Sequence, residues 1–477
     1  MINLNNIKNQ KLNKKKLVEL LFYGFPLSFI LGNLILSLHL LLFIVIAFFL
    51  IREEKLPFRF DNLNWILIIF FSYLCLLTAI QIFSADFFAE MPNKLSTKIH
   101  PIVKSFLLLR FLILIIILDT LIFNKILNLK KFFLFTLICT SFVSFDVIIQ
   151  YIIGYDLFGL KSMGWRNSGP FGDEMIAGTY LQRFSFFSIF YMFVAFKNSK
   201  NSLVLITCIT VLHAMGVLLA GNRMPLMLFL FGCILVILFV KNMRLSMTIG
   251  LIIFISMFSI IAKNDKGFGN RYIIFFNAIN FIEPALNYIE YVKAKKMQKE
   301  KNLNSEKLSE IKESIRHYEA QKSYFVRTSG HRLIYETAIE VWKKQPLFGY
   351  GLKSFRVKCW QVYSKDERQL ILDEGRPKGC SNHPHQYYLH LLVEAGIIGT
   401  VLIVIFIFIL LKNSFSYFRN YTGVKNFEIY IYAPIVISFF LEIWPLRSSG
   451  SFFTTSNATF IWLIVGMLIA TSRKKIT

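Results

Sequence analysis

Acidic side chains are scarce in this chain of 477 residues: 28 Asp and Glu face 53 Lys and Arg, a formal net charge of +25. Cysteine is scarce as well, and none of the six stands in a Cys-x-x-Cys pair, which removes the common zinc and dithiol sites. No Gly-rich phosphate loop and no Gly-x-Ser-x-Gly turn occurs, so P-loop nucleotide chemistry and the serine-hydrolase elbow have no carrier. Internal repeats are lacking too, which argues against transporter folds built from duplicated halves.

Apolar residues are what the chain has in abundance. They make up 55% of it, with 51 Phe among them, and the mean hydropathy is +0.55. A soluble fold of this size cannot bury so much, so the composition predicts an all-helical polytopic membrane protein. Apolar runs of the length that crosses about 30 Å of hydrocarbon fall at 18–32, 33–51, 62–84, 105–123, 131–153, 175–196, 202–220, 223–241, 245–262, 387–411, 428–446 and 455–471. That is about twelve spans, with the first pair the least certain split. The lysine-rich start followed by an apolar run is expected to be a retained span, since no small-residue cleavage site follows it.

An even number of spans puts both termini on one side. Alternate short loops carry 21 Lys and Arg on the side of the termini and 7 on the other, so the termini are expected to be cytoplasmic. Three regions result: a bundle of about nine spans over 1–262, an external segment over 263–385, and a bundle of about three spans over 386–477. The positive charge of the cytoplasmic loops follows from topology and anionic headgroups, and no nucleic acid need be invoked. The external segment is different. It holds 23 basic and 14 acidic residues where the positive-inside rule places no such excess, which points to an anionic ligand outside. Within it, residues 286–323 are rich in Lys and Glu, with Leu308, Ile311, Ile315 and Tyr318 at helical spacing. This amphipathic stretch lies on the membrane or covers a site as a lid.

Cys75, Cys139, Cys208 and Cys233 lie within apolar runs and are expected to be small core residues. Cys359 and Cys380 are both external. In an oxidising compartment a bridge between them would close a loop of about 20 residues, worth about 3 kcal/mol by the chain-entropy argument; otherwise they are two free thiols.

Charges in or at the ends of spans mark function, because hydrocarbon penalises them. Arg110 is expected to pair within the bundle or snorkel. Arg223 follows the tight turn Gly221-Asn222 and opens a helix at its outer N-terminus, where the helix and the guanidinium fork both suit phosphate. The competing reading is an arginine snorkelling to headgroups. Two further patches place arginines near Gly-rich turns: Arg166 to Gly172, and His331-Arg332 through Trp342 to Pro346-Leu347-Phe348-Gly349-Tyr350-Gly351. The stretch from His383 to Gly399 sets a histidine pair where the polar segment enters an apolar helix. His383, His385 and His390 raise the possibility of a metal site, but no Cys, Asp or Glu stands at usable spacing, and His390 is expected to lie away from the pair. Glu394 is expected to pack or hydrogen-bond.

The order and content of these motifs resemble the bacterial O-antigen ligase and polymerase family of membrane glycosyltransferases. The resemblance covers most of the chain. It rests on the Arg166 to Gly172 patch, the Gly221-Asn222-Arg223 turn, Arg332 with Trp342 and the Pro346 to Gly351 element, and His385 to Gly399, similar to the family's His-Asn-x-Tyr-Leu and Glu-x-Gly-x-x-Gly pattern. Asn222 replaces the usual Ser, Gln386 replaces Asn while keeping an amide, and His383 is an extra histidine. The resemblance implies transfer of a glycan from undecaprenyl pyrophosphate to an acceptor hydroxyl, lipid A-core in a ligase, at the periplasmic face of the inner membrane. It also implies a metal-independent, inverting mechanism with no cofactor. His385 then acts as general base, and Arg223, Arg332 and Arg166 hold the pyrophosphate. A polymerase joining repeat units, a protein O-oligosaccharyltransferase and, outside the class, a lipid or polysaccharide transporter are the alternatives.

Overall fold

The structure is a computed structural model that describes residues 4–83, 95–265, 267–272, 331–362, 379–421 and 428–472. The amphipathic stretch 286–323 lies outside these residues. Helices build the described chain, and the one β-bridge there joins Tyr155 to Lys161. In order they are α1 Leu4–Tyr23, α2 Phe25–Ile30, α3 Asn33–Glu53, α4 Asn62–Phe83, α5 Leu95–Phe123, α6 Leu129–Ile153, α7 Ala177–Phe196, α8 Ser202–Leu219, α9 Arg223–Phe239 and α10 Arg244–Asn264. They continue with α11 Arg332–Lys344, α12 Phe355–Lys358, α13 Tyr387–Tyr421, α14 Ile429–Glu442 and α15 Thr455–Ser472.

Among the described residues, eight helices are long and apolar enough to cross a membrane: α3, α4, α5, α6, α8, α10, α13 and α15. Leu34, Leu38 and Ile252 on α3 and α10 are more than half exposed, as lipid-facing side chains are. The other four predicted runs take different forms. The run at 18–32 is divided between α1 and α2 at Gly24, next to Pro26 in the first turn of α2. The runs at 223–241 and 428–446 become α9 and α14, apolar but shorter than a full crossing. The run at 175–196 becomes α7, whose apolar character is diluted by Gln182, Arg183, Ser185 and Ser188, all buried. Such polar groups are tolerated because α7 packs against α6, α8, α9 and α14 and meets protein on most sides.

Two hydrophobic cores are present. The large one joins the long helices. The small one gathers Ile334, Ala338, Val341, Phe355, Cys359, Cys380 and Val393, so it belongs to α11, α12, the stretch at Cys380 and the first turns of α13. Cys359 and Cys380 are bonded to each other at its centre. Cys75, Cys139 and Cys233 are buried as expected, but Cys208 is exposed, because its side of α8 faces outward.

The two cores are joined through a break in α13. Gly396 interrupts the helix with φ 64° and ψ −170°, which frees backbone groups that hydrocarbon cannot satisfy. The Pro346 to Gly351 element supplies partners. The amides of Tyr350 and Gly351 donate to the carbonyls of Val393 and Glu394 at 3.0 and 2.9 Å, while the amides of Ile397 and Ile398 donate to Pro346 and Leu347 at 2.9 and 3.2 Å. The Tyr73 hydroxyl of α4 contacts the carbonyls of Phe348 and Ala395 at 2.8 and 3.0 Å. Two motifs separated in sequence thus form one joint.

Candidate active site

The turn between α8 and α9 builds the first constellation. Gly221 has φ 73°, and a Cβ there would stand 2.2 Å from the Trp165 carbonyl oxygen, so only glycine lets the 163–167 loop rest on the turn. Asn167 fastens that loop by donating to the Leu219 carbonyl at 2.7 Å. Arg166, on the loop, and Arg223, at the start of α9, are thereby brought together. A third arginine joins them: the Tyr272 hydroxyl donates to the Leu218 carbonyl at 2.9 Å, and so holds the helical turn 267–272 that carries Arg271 against the end of α8.

The guanidinium carbons of Arg271 and Arg166 lie 3.8 and 4.9 Å from the Trp165 ring centroid. A cavity of about 570 Å³ opens here, lined by Trp165, Arg223, Asp265 and Arg271 among others. Burial, and then the nearby charges of Arg223 and Arg166, push the Arg271 pKa down to about 10, so it remains a cation at neutral pH. Arg223 and Arg271 line this cavity opposite the single carboxylate of Asp265, and Arg166 stands beside it against the Trp165 ring, so the site carries an excess of positive charge suited to an anion. Sequence reading missed Arg271, although its place directly after Gly267, Phe268, Gly269 and Asn270 resembles the other Arg-and-glycine patches.

Histidines form the second constellation. The ring centroids of His383 and His385 are 4.2 Å apart, those of His331 and His385 4.8 Å, and those of His383 and His390 6.3 Å. His390 therefore belongs to the group, against the sequence expectation, because the chain from 383 to 386 folds back over the first turn of α13. His390 Nδ1 accepts from the Phe452 amide at 3.3 Å, and its Nε2 lies 3.1 Å from Glu394 Oε1. Among the described residues, no three His, Cys, Asp or Glu side chains converge as metal ligands would.

His385 has φ 56°, in the left-handed region that side chains other than Gly seldom adopt. Its carbonyl holds it there, accepting from the Ser449 amide at 2.8 Å and the Tyr335 hydroxyl at 3.4 Å. Ser381 Oγ lies 3.1 Å from its Nε2. Burial, followed by the charges of His331 and His390, lowers its pKa to about 4. Burial and the charge of His385 lower that of His383 to about 3. The ordinary imidazole value of about 6.5 does not survive this crowding, and both rings are neutral at pH 7.

The start of α13 is bolted down beside these rings. Gln386 caps the helix, its side-chain oxygen accepting from the Leu389 amide at 2.6 Å, and its nitrogen donates to the Pro445 carbonyl at 2.9 Å. The amide kept at this position has these two roles. Tyr387 donates to Glu442 Oε1 at 2.7 Å. Glu442, buried, also accepts from Arg183 Nε at 3.0 Å and Arg447 Nη1 at 2.6 Å, and Arg183 donates to Asn457 at 2.8 Å. This network ties α7, α13, α14 and α15 together. Arg183 and Glu442 escaped sequence reading although each is a charge inside a predicted span.

Among the residues expected from sequence, the structure unites Arg166 with Arg223 and places His385 in the histidine group. The Arg332 side chain lies outside the described residues; its backbone opens α11, which also carries Tyr335. The Arg110 guanidinium lies 5.0 Å from the Phe111 ring centroid.

Residues 208–404 match the family model described as O-Antigen ligase, a stretch that runs from α8 past the break in α13 and includes Arg223, Arg332, His385 and Gly396. The match supports the family read from the motifs. No curated protein matches the chain.

Proposed function

We propose that this chain of the O-antigen ligase family moves a glycan from undecaprenyl pyrophosphate onto an acceptor hydroxyl, with lipid A-core as the acceptor, at the periplasmic face of a bacterial inner membrane. In this reading the chain crosses the membrane about twelve times, with 1–262 and 386–477 as its two bundles, both termini cytoplasmic and 263–385 outside. The observation that carries it is a neutral, strained and pinned His385 in a protein that also sets Arg223 and Arg271 on one cavity with Arg166 beside it.

The acceptor oxygen attacks the anomeric carbon opposite the pyrophosphate. The bond from that carbon to the phosphate oxygen breaks, its electron pair leaves with the lipid pyrophosphate, and the acceptor proton passes to His385. Inversion follows from the single displacement. Arg223 and Arg166, joined by Arg271 and with Arg332 in the same role, stabilise charge that grows on the leaving group, so they favour the transition state over the bound donor. An imidazole with a pKa of about 4 is a weak base. The pyrophosphate charge arriving nearby raises that value and so strengthens it when donor is bound.

The test compares surface lipopolysaccharide and lipid-linked glycan in a deletion strain carrying the wild-type chain or His385→Ala. Loss of the core-attached ladder, with long lipid-linked chains accumulating, supports the ligase. Core capped by a single unit points to the polymerase, and an unchanged profile removes His385 from the chemistry.

A further inference from the structure

A second cationic cavity, of about 260 Å³, borders the histidine group at His390 and is built from other elements than the first. It is lined by Lys104 of α5, by Lys353 and Arg356 from the α12 region, by Ser451, Thr454 and Thr455, and by His390 and Glu394. Lys353 has φ 62°, a second side chain held in the left-handed region, and its Nζ stands 2.8 Å from His100 Nδ1. Arg356 donates to the Asn382 carbonyl at 3.4 Å, one residue before His383.

Three cations thus share a confined space with the single carboxylate of Glu394. Burial, then the charges of Arg356 and Lys104, bring the Lys353 pKa down to about 8, against a smaller opposing effect of Glu394. The ammonium group is still charged at pH 7, and an anion entering the cavity relieves the repulsion that Glu394 leaves. The hydroxyl groups in the lining suit phosphate or carboxylate oxygens, which accept several hydrogen bonds at once.

We propose that Lys104, Lys353 and Arg356 form a second anion site that holds a phosphate or carboxylate group of the acceptor beside the histidines. Its place on the acceptor rests on the transferase reading; the anion site itself does not.

The probe is glucose 1-phosphate, titrated calorimetrically into the full chain in phosphatidylcholine nanodiscs. Arg166→Gln/Arg223→Gln/Arg271→Gln removes the first cluster from the measurement. In that background binding is expected to persist, and to weaken at least about tenfold on adding Lys353→Gln/Arg356→Gln, the loss of roughly one charge-assisted contact. Lys353→Arg, which keeps the charge, is expected to bind as the parent does. Equal affinity in the Gln variant overturns the site. Nanodiscs containing phosphatidylglycerol separate the sources: unchanged affinity supports a glycan anion, whereas competition by the headgroup overturns the acceptor assignment. In turnover assays Lys353→Gln/Arg356→Gln is expected to raise the acceptor KM and leave the donor KM alone, and the reverse split also overturns it. Because calorimetry needs no glycosyl transfer, failure of the transferase reading would leave the phosphate result standing.

Discussion

Gly349 and Gly396 lie backbone against backbone: a Cβ on Gly349 would stand 2.4 Å from the Gly396 nitrogen, and one on Gly396 would stand 2.3 Å from the Leu347 oxygen. Both have positive φ, 76° and 64°. Gly396→Ala therefore combines left-handed strain with a clash against backbone that cannot swing away. A loss of at least about 2 kcal/mol is expected, visible as a lower thermal midpoint in detergent. Gly164→Ala, with φ 74° but open space around it, is expected to lose only about 1 kcal/mol. Equal losses would show that the joint does not depend on close approach.

Glu442 bridges Arg183 and Arg447 at a site where all three side chains are buried. Glu442→Gln leaves two arginines without a counter-charge, so unfolding should become easier by about 3 kcal/mol or more. Because Tyr387 loses its partner as well, the first turn of α13 should loosen, read as faster amide exchange over 386–390. Slow exchange in a folded variant would mean that Gln386 and the Tyr388 hydroxyl, which donates to the Ile443 carbonyl at 2.6 Å, suffice to hold that turn.

His385→Ala is expected to lower kcat roughly 100- to 10,000-fold while donor binding is retained. The acid limb of kcat/KM should lie well below the ordinary 6.5, near 4, because burial and neighbouring imidazoles favour the neutral ring. The stability effect has a definite sign. Below pH 6.5 the unfolded chain binds these protons more readily than the folded one, so stability rises with pH there. It is present above 6.5 and is lost as pH falls through about 4 for His385 and about 3 for His383. A pH-independent melting temperature between 7 and 4 would contradict this.

Cys359→Ser removes the bond to Cys380, 21 residues away. Closing a loop of that size is worth about 3 kcal/mol, and the loss falls on the small core against which α11 and the first turns of α13 pack. Reductant should lower activity of the wild-type chain and leave Cys359→Ser unchanged. Insensitivity of the wild-type activity would separate the bridge from the histidine group.

Much was legible in the sequence because it is local. The length of an apolar run reports a span, the excess of arginine and lysine reports a side, and a glycine beside an arginine reports a turn that presents a cation. Arg166, Arg223 and His385 could be singled out in this way. Arg183 was hidden because its apolar neighbours in 175–196 made the run look like an ordinary crossing, and α7 is in fact enclosed by protein.

The sequence by itself determined the membrane class, the all-helical architecture and the resemblance to one family. Only the tertiary structure decided that Arg271 converges on Trp165 with Arg166, that the Pro346 to Gly351 element satisfies the backbone opened at Gly396, and that four histidines share one environment. The physical reason is that span length and turn chemistry are properties of neighbouring residues, whereas the burial and mutual repulsion that tune these groups arise between residues far apart in the chain and exist only once they are packed together.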